Sequence, residues 1–136
     1  MAAITVTYCG NLSMECLHAK SGTVIKTDAP VDNHGKGEAF SPTDLCVTSL
    51  ATCAMTMIGI YADSRNIDVT GTTIEVTKTM SANPRRIARI ELTFVMPDRE
   101  FSDKEKIMIE RAAHTCPVHL SLHENVEQVF TFKWAR

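Results

Sequence analysis

Five cysteines, Cys9, Cys16, Cys46, Cys53 and Cys116, are the side chains of this 136-residue chain best suited to covalent chemistry. The thiolate is the nucleophile of peroxide and disulfide chemistry, so what matters is which thiols the sequence can activate. The count is odd and no C-x-x-C pair occurs, which points to reduced thiols rather than a disulfide framework. Cys46 and Cys53 are seven residues apart. On a helix they share a face but are separated by about 10.5 Å along the axis, too far for a disulfide. A turn at Gly10-Asn11 would pair Cys9 with Leu12 and Cys16 with Thr5, so these two do not face each other either. Cys53 sits among the small residues Ala51, Thr52 and Ala54, which allow another backbone or a ligand to approach. Cys116 stands immediately before Pro117 at the expected start of a helix, where the dipole stabilises a thiolate. Two helices packed on one core could bring these two sulfurs together. The plainer alternative is burial as small hydrophobes, which is also the expectation for Cys9, Cys16 and Cys46.

His114, Cys116, His119 and His123 form an H-x-C-x2-H-x3-H pattern. His119 and His123 share a helix face at i,i+4, but no second cluster supplies further ligands, so the expected metal set is none. The Gly-Lys-Gly-Glu stretch at residues 35–38 is not followed by the Lys-Ser/Thr of a phosphate loop, and there is no G-x-S-x-G. No cofactor is expected. A net charge of -2 argues against nucleic acid and against an anionic membrane surface as partners. The opening residues MAAITVTYCG have no basic n-region and no long apolar run, so no signal peptide is expected and the cytoplasm is the expected location.

The elements that must position these residues are legible in the pattern. With 44% hydrophobic and 22% charged residues, a folded core is expected rather than disorder, and the length suits a single domain over residues 1–136. Residues 4–8 alternate as a half-buried strand. A Gly10-Asn11 hairpin leads to a return strand over 13–20, Ser21-Gly22 to a third strand over 23–27, and residues 28–38 form a loop. Ser41 reads as an N-cap, Pro42 as the first helical residue and Asp44 as a first-turn carboxylate. From Leu45 to Tyr61 no residue is charged, the lower edge of a membrane span. The many Thr and Ser residues and the acidic flanks predict a buried central helix instead. Residues 67–80 and 87–96 read as strands, the second with Ile90, Leu92, Phe94 and Met96 on one face. Ser102 to Glu105 is a capping box opening a helix to about residue 115, followed by a short helix over 117–123 and a last strand over 126–134. Segregated strands and helices predict an α+β fold with a mostly antiparallel sheet.

Two segments together resemble the osmotically inducible protein C / organic hydroperoxide resistance (OsmC/Ohr) family. They are Gly35-Lys36-Gly37-Glu38-Ala39-Phe40-Ser41-Pro42-Thr43-Asp44-Leu45 with Ser49-Leu50-Ala51-Thr52-Cys53, and Ala113-His114-Thr115-Cys116-Pro117-Val118. The order of elements agrees over essentially the whole chain, and the S-P-T-D-L helix start is similar to that of a branch described as redox proteins. The resemblance implies an OsmC-like fold of strongly bent, mostly antiparallel sheets around long central helices in an intertwined homodimer, with sites at the subunit interface. It also implies a thiol-dependent peroxidase, with Cys53 as the peroxidatic thiol, Cys116 as the resolving thiol, a small-molecule organic hydroperoxide as substrate and an external dithiol as reductant. The chain departs from the family pattern at two places. No Arg precedes Arg65, with Ser13 or Met14 about where one is expected, and Thr43, followed by Asp44, replaces a Glu after the helix-opening Pro. Glu38, Lys20, Lys26 or Asp44 supplied by the partner subunit, with Thr43 at the helix start, are the candidates to support the thiolate in its place. The alternative expectation is a non-enzymatic dimer of the same fold that binds a small apolar ligand or senses thiol redox state.

Overall fold

The uncharged run after Asp44 forms the middle of helix α1 (Pro42–Ser64). Its start is closed by a reciprocal cap. Ser41 Oγ accepts from the Asp44 N–H at 3.0 Å, and Asp44 Oδ2 accepts from the Ser41 N–H at 3.0 Å. Each group satisfies a donor that the first helical turn leaves unpaired. By length and composition α1 could cross a membrane, but Leu50, Ala54, Ile58 and Ala62, at four-residue spacing, are completely buried in a protein core. In this computed structural model, residues 2–136 are described, and they form two compact units, one ending at Cys46 and one over Val47–Arg136, with the boundary inside α1.

The first unit is an antiparallel sheet of β1 (Ile4–Tyr8), β2 (Ser13–His18) and β3 (Val24–Asp28) in the order β1-β2-β3. Its first hairpin differs from the two-residue turn expected from the sequence. Cys9 N–H donates to Ser13 O at 2.9 Å across a loop in which Gly10, Asn11 and Leu12 all have positive φ. The third loop residue shifts the register by one, so Cys16 lies opposite Val6 rather than Thr5. Cys9 and Cys16 remain apart. The expected loop after β3 contains a 3-10 turn, Val31–Asn33. Here Gly35 is needed for close approach, because a Cβ at that position would lie 1.7 Å from the Ala29 carbonyl oxygen.

The second unit holds β4 (Thr73–Ser81), β5 (Arg86–Val95) and β6 (Glu127–Lys133), ordered β4-β5-β6. The pair β4–β5 is antiparallel, and β6 runs parallel to β5. A parallel neighbour needs a long crossover, and residues 96–126 supply it with α2 (Asp103–Ala113) and α3 (Pro117–Ser121). The alternation expected in β5 is present: Ile90, Leu92 and Phe94 are fully buried and Met96 nearly so, against the buried stripe of α1. The expected capping box is also present, with Ser102 Oγ accepting from the Glu105 N–H at 3.1 Å and Glu105 Oε1 from the Ser102 N–H at 2.8 Å. The architecture is thus α+β, with two three-stranded sheets and, among the described residues, one parallel strand pair in an otherwise antiparallel set.

Candidate functional site

Cys53 lies in the middle of α1 beside the buried Ala54 and is itself half-buried. Cys116 is completely buried and is the N-cap of α3. The reason is local. Pro117 occupies the first helical position without an N–H, so the amides that follow turn towards the residue before it. The His119 N–H donates to Cys116 Sγ at 3.2 Å. All five cysteines are unbridged.

The two thiols that the sequence singled out meet in the second unit. The side chains of Cys53 and Cys116 are near enough to interact, and that interaction raises the Cys116 thiol. Burial pushes the Cys116 thiol above its ordinary range, the His119 N–H pulls it back in part, and the hydrogen bond and charge of Cys53 push it up again, with the Val118 N–H a lesser opposing donor. Burial therefore outweighs the helix-start effect expected from the sequence. Cys116 is the fully buried member of the pair and Cys53 the half-buried one.

Within a single chain, Thr43, Asp44 and Glu38 are each held by hydrogen bonds of their own. Thr43 and Asp44 belong to the α1 cap, with Thr43 Oγ1 3.2 Å from Ser41 Oγ. Glu38 is in the first unit and exposed, and its N–H donates to Asp28 Oδ2 at 3.1 Å. The other oxygen of the buried Asp28 accepts from the Ser13 hydroxyl. Ser13, about where an Arg is expected, is thus tied to an acid.

Sequence reasoning missed the support of Cys116. His119 Nδ1 lies 2.6 Å from Gln128 Oε1, and Gln128 Nε2 donates to the His119 carbonyl at 3.2 Å. The His114 ring stacks on Phe130 at 4.5 Å, and the His119 ring meets Phe130 edge-on at 5.3 Å. His114 Nδ1 lies 2.9 Å from the Glu110 carbonyl oxygen, and His123 Nδ1 accepts from the Asn125 N–H at 3.0 Å. Among the described residues no three His, Cys, Asp or Glu side chains converge on a metal position. The i,i+4 histidines drew attention to His119, whereas nothing in the sequence marks Gln128.

A separate groove of about 770 Å³ runs along α1 past Thr48, Thr52, Met55 and Thr56 to Ile74 and Val76 of β4. Cys53 does not line it.

Comparison with known proteins bears on the fold and the family. The sequence model of the family described as OsmC-like protein matches residues 35–129, a span that contains both thiols. A crystal structure from Psychrobacter arcticus 273-4, of a protein named for osmotic stress induction and a detoxification response, is 47% identical. It superposes with a TM-score of 0.93, covering 98% of this chain and 96% of that one. An OsmC-like protein from Mycoplasma pneumoniae is 21% identical with a TM-score of 0.79, covering 98% of this chain and 96% of its own. An organic hydroperoxide resistance protein OsmC from Legionella pneumophila is 14% identical with a TM-score of 0.75, covering 98% of each chain. These two share the fold. No curated protein matches the chain significantly.

Proposed function

Because the chain belongs to the OsmC-like protein family, and because Cys53 and Cys116 meet within it, we propose that it is a thiol-dependent peroxidase acting on organic hydroperoxides. The meeting of two thiols sixty-three residues apart, one half-buried and one fully buried, is the observation that carries this. Names of structural neighbours that refer to organic hydroperoxide resistance support the substrate class.

The half-buried Cys53 is the thiol an incoming peroxide meets first. Its thiolate attacks the terminal peroxide oxygen, the O–O bond breaks, and the alcohol leaves with a proton from solvent. Cys53 is then a sulfenic acid. Cys116, kept as a thiol by burial, attacks the Cys53 sulfur. The S–O bond breaks, hydroxide takes the Cys116 proton and leaves as water, and a Cys53–Cys116 disulfide remains. An external dithiol resets the pair by two exchange steps and is itself oxidised to a disulfide. This cycle suits the reducing cytoplasm and a homodimer.

One equivalent of cumene hydroperoxide added to the fully reduced protein should remove two of the five thiols and give a Cys53–Cys116 bridge by peptide mass mapping. Cys53→Ser should consume no peroxide. Cys116→Ser should react once and then stop as a sulfenic or over-oxidised Cys53. Five thiols unchanged after minutes would overturn the assignment. The groove along α1 favours a second reading, a non-enzymatic dimer that binds a small apolar ligand there. Saturable thermal stabilisation by such a compound with both cysteines replaced would select it.

A further inference from the structure

The sulfur of Cys116 is held from β6. Gln128 lies opposite Ile90 in the parallel β5–β6 pair, so its backbone is fixed by the sheet. Its amide reaches α3 twice, through Nε2 to the His119 carbonyl at 3.2 Å and through Oε1 to His119 Nδ1 at 2.6 Å. A carbonyl only accepts, so the amide nitrogen must face it and the amide oxygen must face the ring. His119 Nδ1 therefore carries a proton, and the ring is fixed in one orientation, edge-on to Phe130 at 5.3 Å. The same residue donates its backbone N–H to Cys116 Sγ at 3.2 Å. α3 has only five residues, too few to hold a helical turn in place unaided. The paired hydrogen bonds from Gln128 anchor it at the residue whose amide touches the sulfur.

We infer that Gln128 is a positioning residue for the second thiol step, holding His119 and through it the Cys116 sulfur in line with the Cys53 sulfenic acid. This rests on the peroxidase cycle proposed above. In that step the Cys116–Cys53 S–S bond forms, the Cys53 S–O bond breaks, and the Cys116 proton leaves with hydroxide as water. Gln128 takes part in no bond change. Its loss should leave peroxide attack at Cys53 untouched and slow ring closure, since small misplacements of a reacting atom are costly.

The experiment is rapid-quench mass spectrometry after one equivalent of cumene hydroperoxide, which reads sulfenic acid formation and disulfide closure separately. Gln128→Leu removes both hydrogen bonds at similar volume. It should form sulfenic acid at the wild-type rate and close the disulfide about tenfold more slowly or worse. Gln128→Glu keeps an acceptor for His119 Nδ1 but loses the donor to the carbonyl, and should fall between the two. A second readout needs no peroxide: 13Cβ shifts of cysteine-labelled reduced protein follow the titration of Cys116 alone, and it should move upward in Gln128→Leu as the N–H to sulfur bond loosens. Folding of each variant is checked by urea unfolding followed through the single Trp134. If Gln128→Leu fails to fold, Gln128→Glu decides, and unchanged closure there overturns the inference. Wild-type closure in a folded Gln128→Leu overturns it as well. Absence of sulfenic acid in the wild type would instead refute the peroxidase assignment. The Cys116 titration then decides for Gln128, an upward shift supporting its hold on the sulfur and no shift refuting it.

Discussion

At the scale of single residues, the two candidate thiols differ in burial, Cys116 being fully buried and Cys53 half-buried. A fully buried thiol resists ionisation because a charge is costly in a low dielectric. The folded protein therefore keeps a proton on Cys116 at pH values where the unfolded chain releases it. The sign of the linkage follows. This contribution to stability is complete below the ordinary thiol value of about 8.5 and is lost as pH rises through the higher folded value. Urea midpoints of the reduced protein should fall more steeply above about pH 8.5 than those of Cys116→Ser. Serine keeps an acceptor for the His119 N–H and does not titrate in this range. Parallel curves for the two proteins would refute the buried, protonated assignment. Cys116→Ala removes the cap acceptor as well, and should cost about 1 kcal/mol more than Cys116→Ser at pH 7.

At the scale of elements, local chemistry and burial pattern agree wherever one short segment contains its own instruction. Ser102 and Glu105 cap α2, Ser41 and Asp44 cap α1, and every second residue from Ile90 to Met96 is buried. Each is a rule written in neighbouring residues, so each was legible in the sequence. The first hairpin was not, because the register depends on Leu12 taking a positive φ of 63. That conformation is unfavourable for leucine, and no residue preference announces it. The parallel pairing of β6 with β5, and the reach of Gln128 to α3, depend on residues far apart in sequence. The two candidate cysteines were legible as a pair through the resemblance of their surroundings, but their contact was not, because spacing along a chain does not encode proximity. The caps also carry a testable magnitude. Ser41→Ala or Asp44→Ala should lower stability by about 1 kcal/mol each, roughly 4 °C in melting temperature. The double variant should lose less than the sum, because the two bonds form one reciprocal unit. Strict additivity would show that the cap does not act as a pair.

At the scale of the whole molecule, the sheet of residues 4–28 exposes apolar side chains to a degree that calls for a partner. Ile4, Val6 and Tyr8 on β1 are each 60% exposed and point to the same side of the strand. The register places Val6 beside Cys16 and Cys16 beside Ile25, itself 44% exposed, so the apolar row continues across all three strands. Full burial of such side chains is worth about 1.5–3 kcal/mol each, so covering this face would stabilise the molecule by several kcal/mol. Monomeric proteins rarely leave a contiguous patch of this kind open. A second copy of the chain is the partner proposed above, and its binding would make stability depend on concentration. Light scattering at micromolar concentration should give twice the chain mass, and the melting temperature should rise with protein concentration. Val6→Asp places a charge in the centre of the row, where burial without a counter-ion is unfavourable, and should yield monomer with a lower, concentration-independent melting temperature. Thr7→Asp, on the opposite side of the same strand, should leave the dimer intact. A wild-type protein that scatters as a single chain, or a Val6→Asp variant that still dimerises, would show that the exposed row is not the surface that joins two copies.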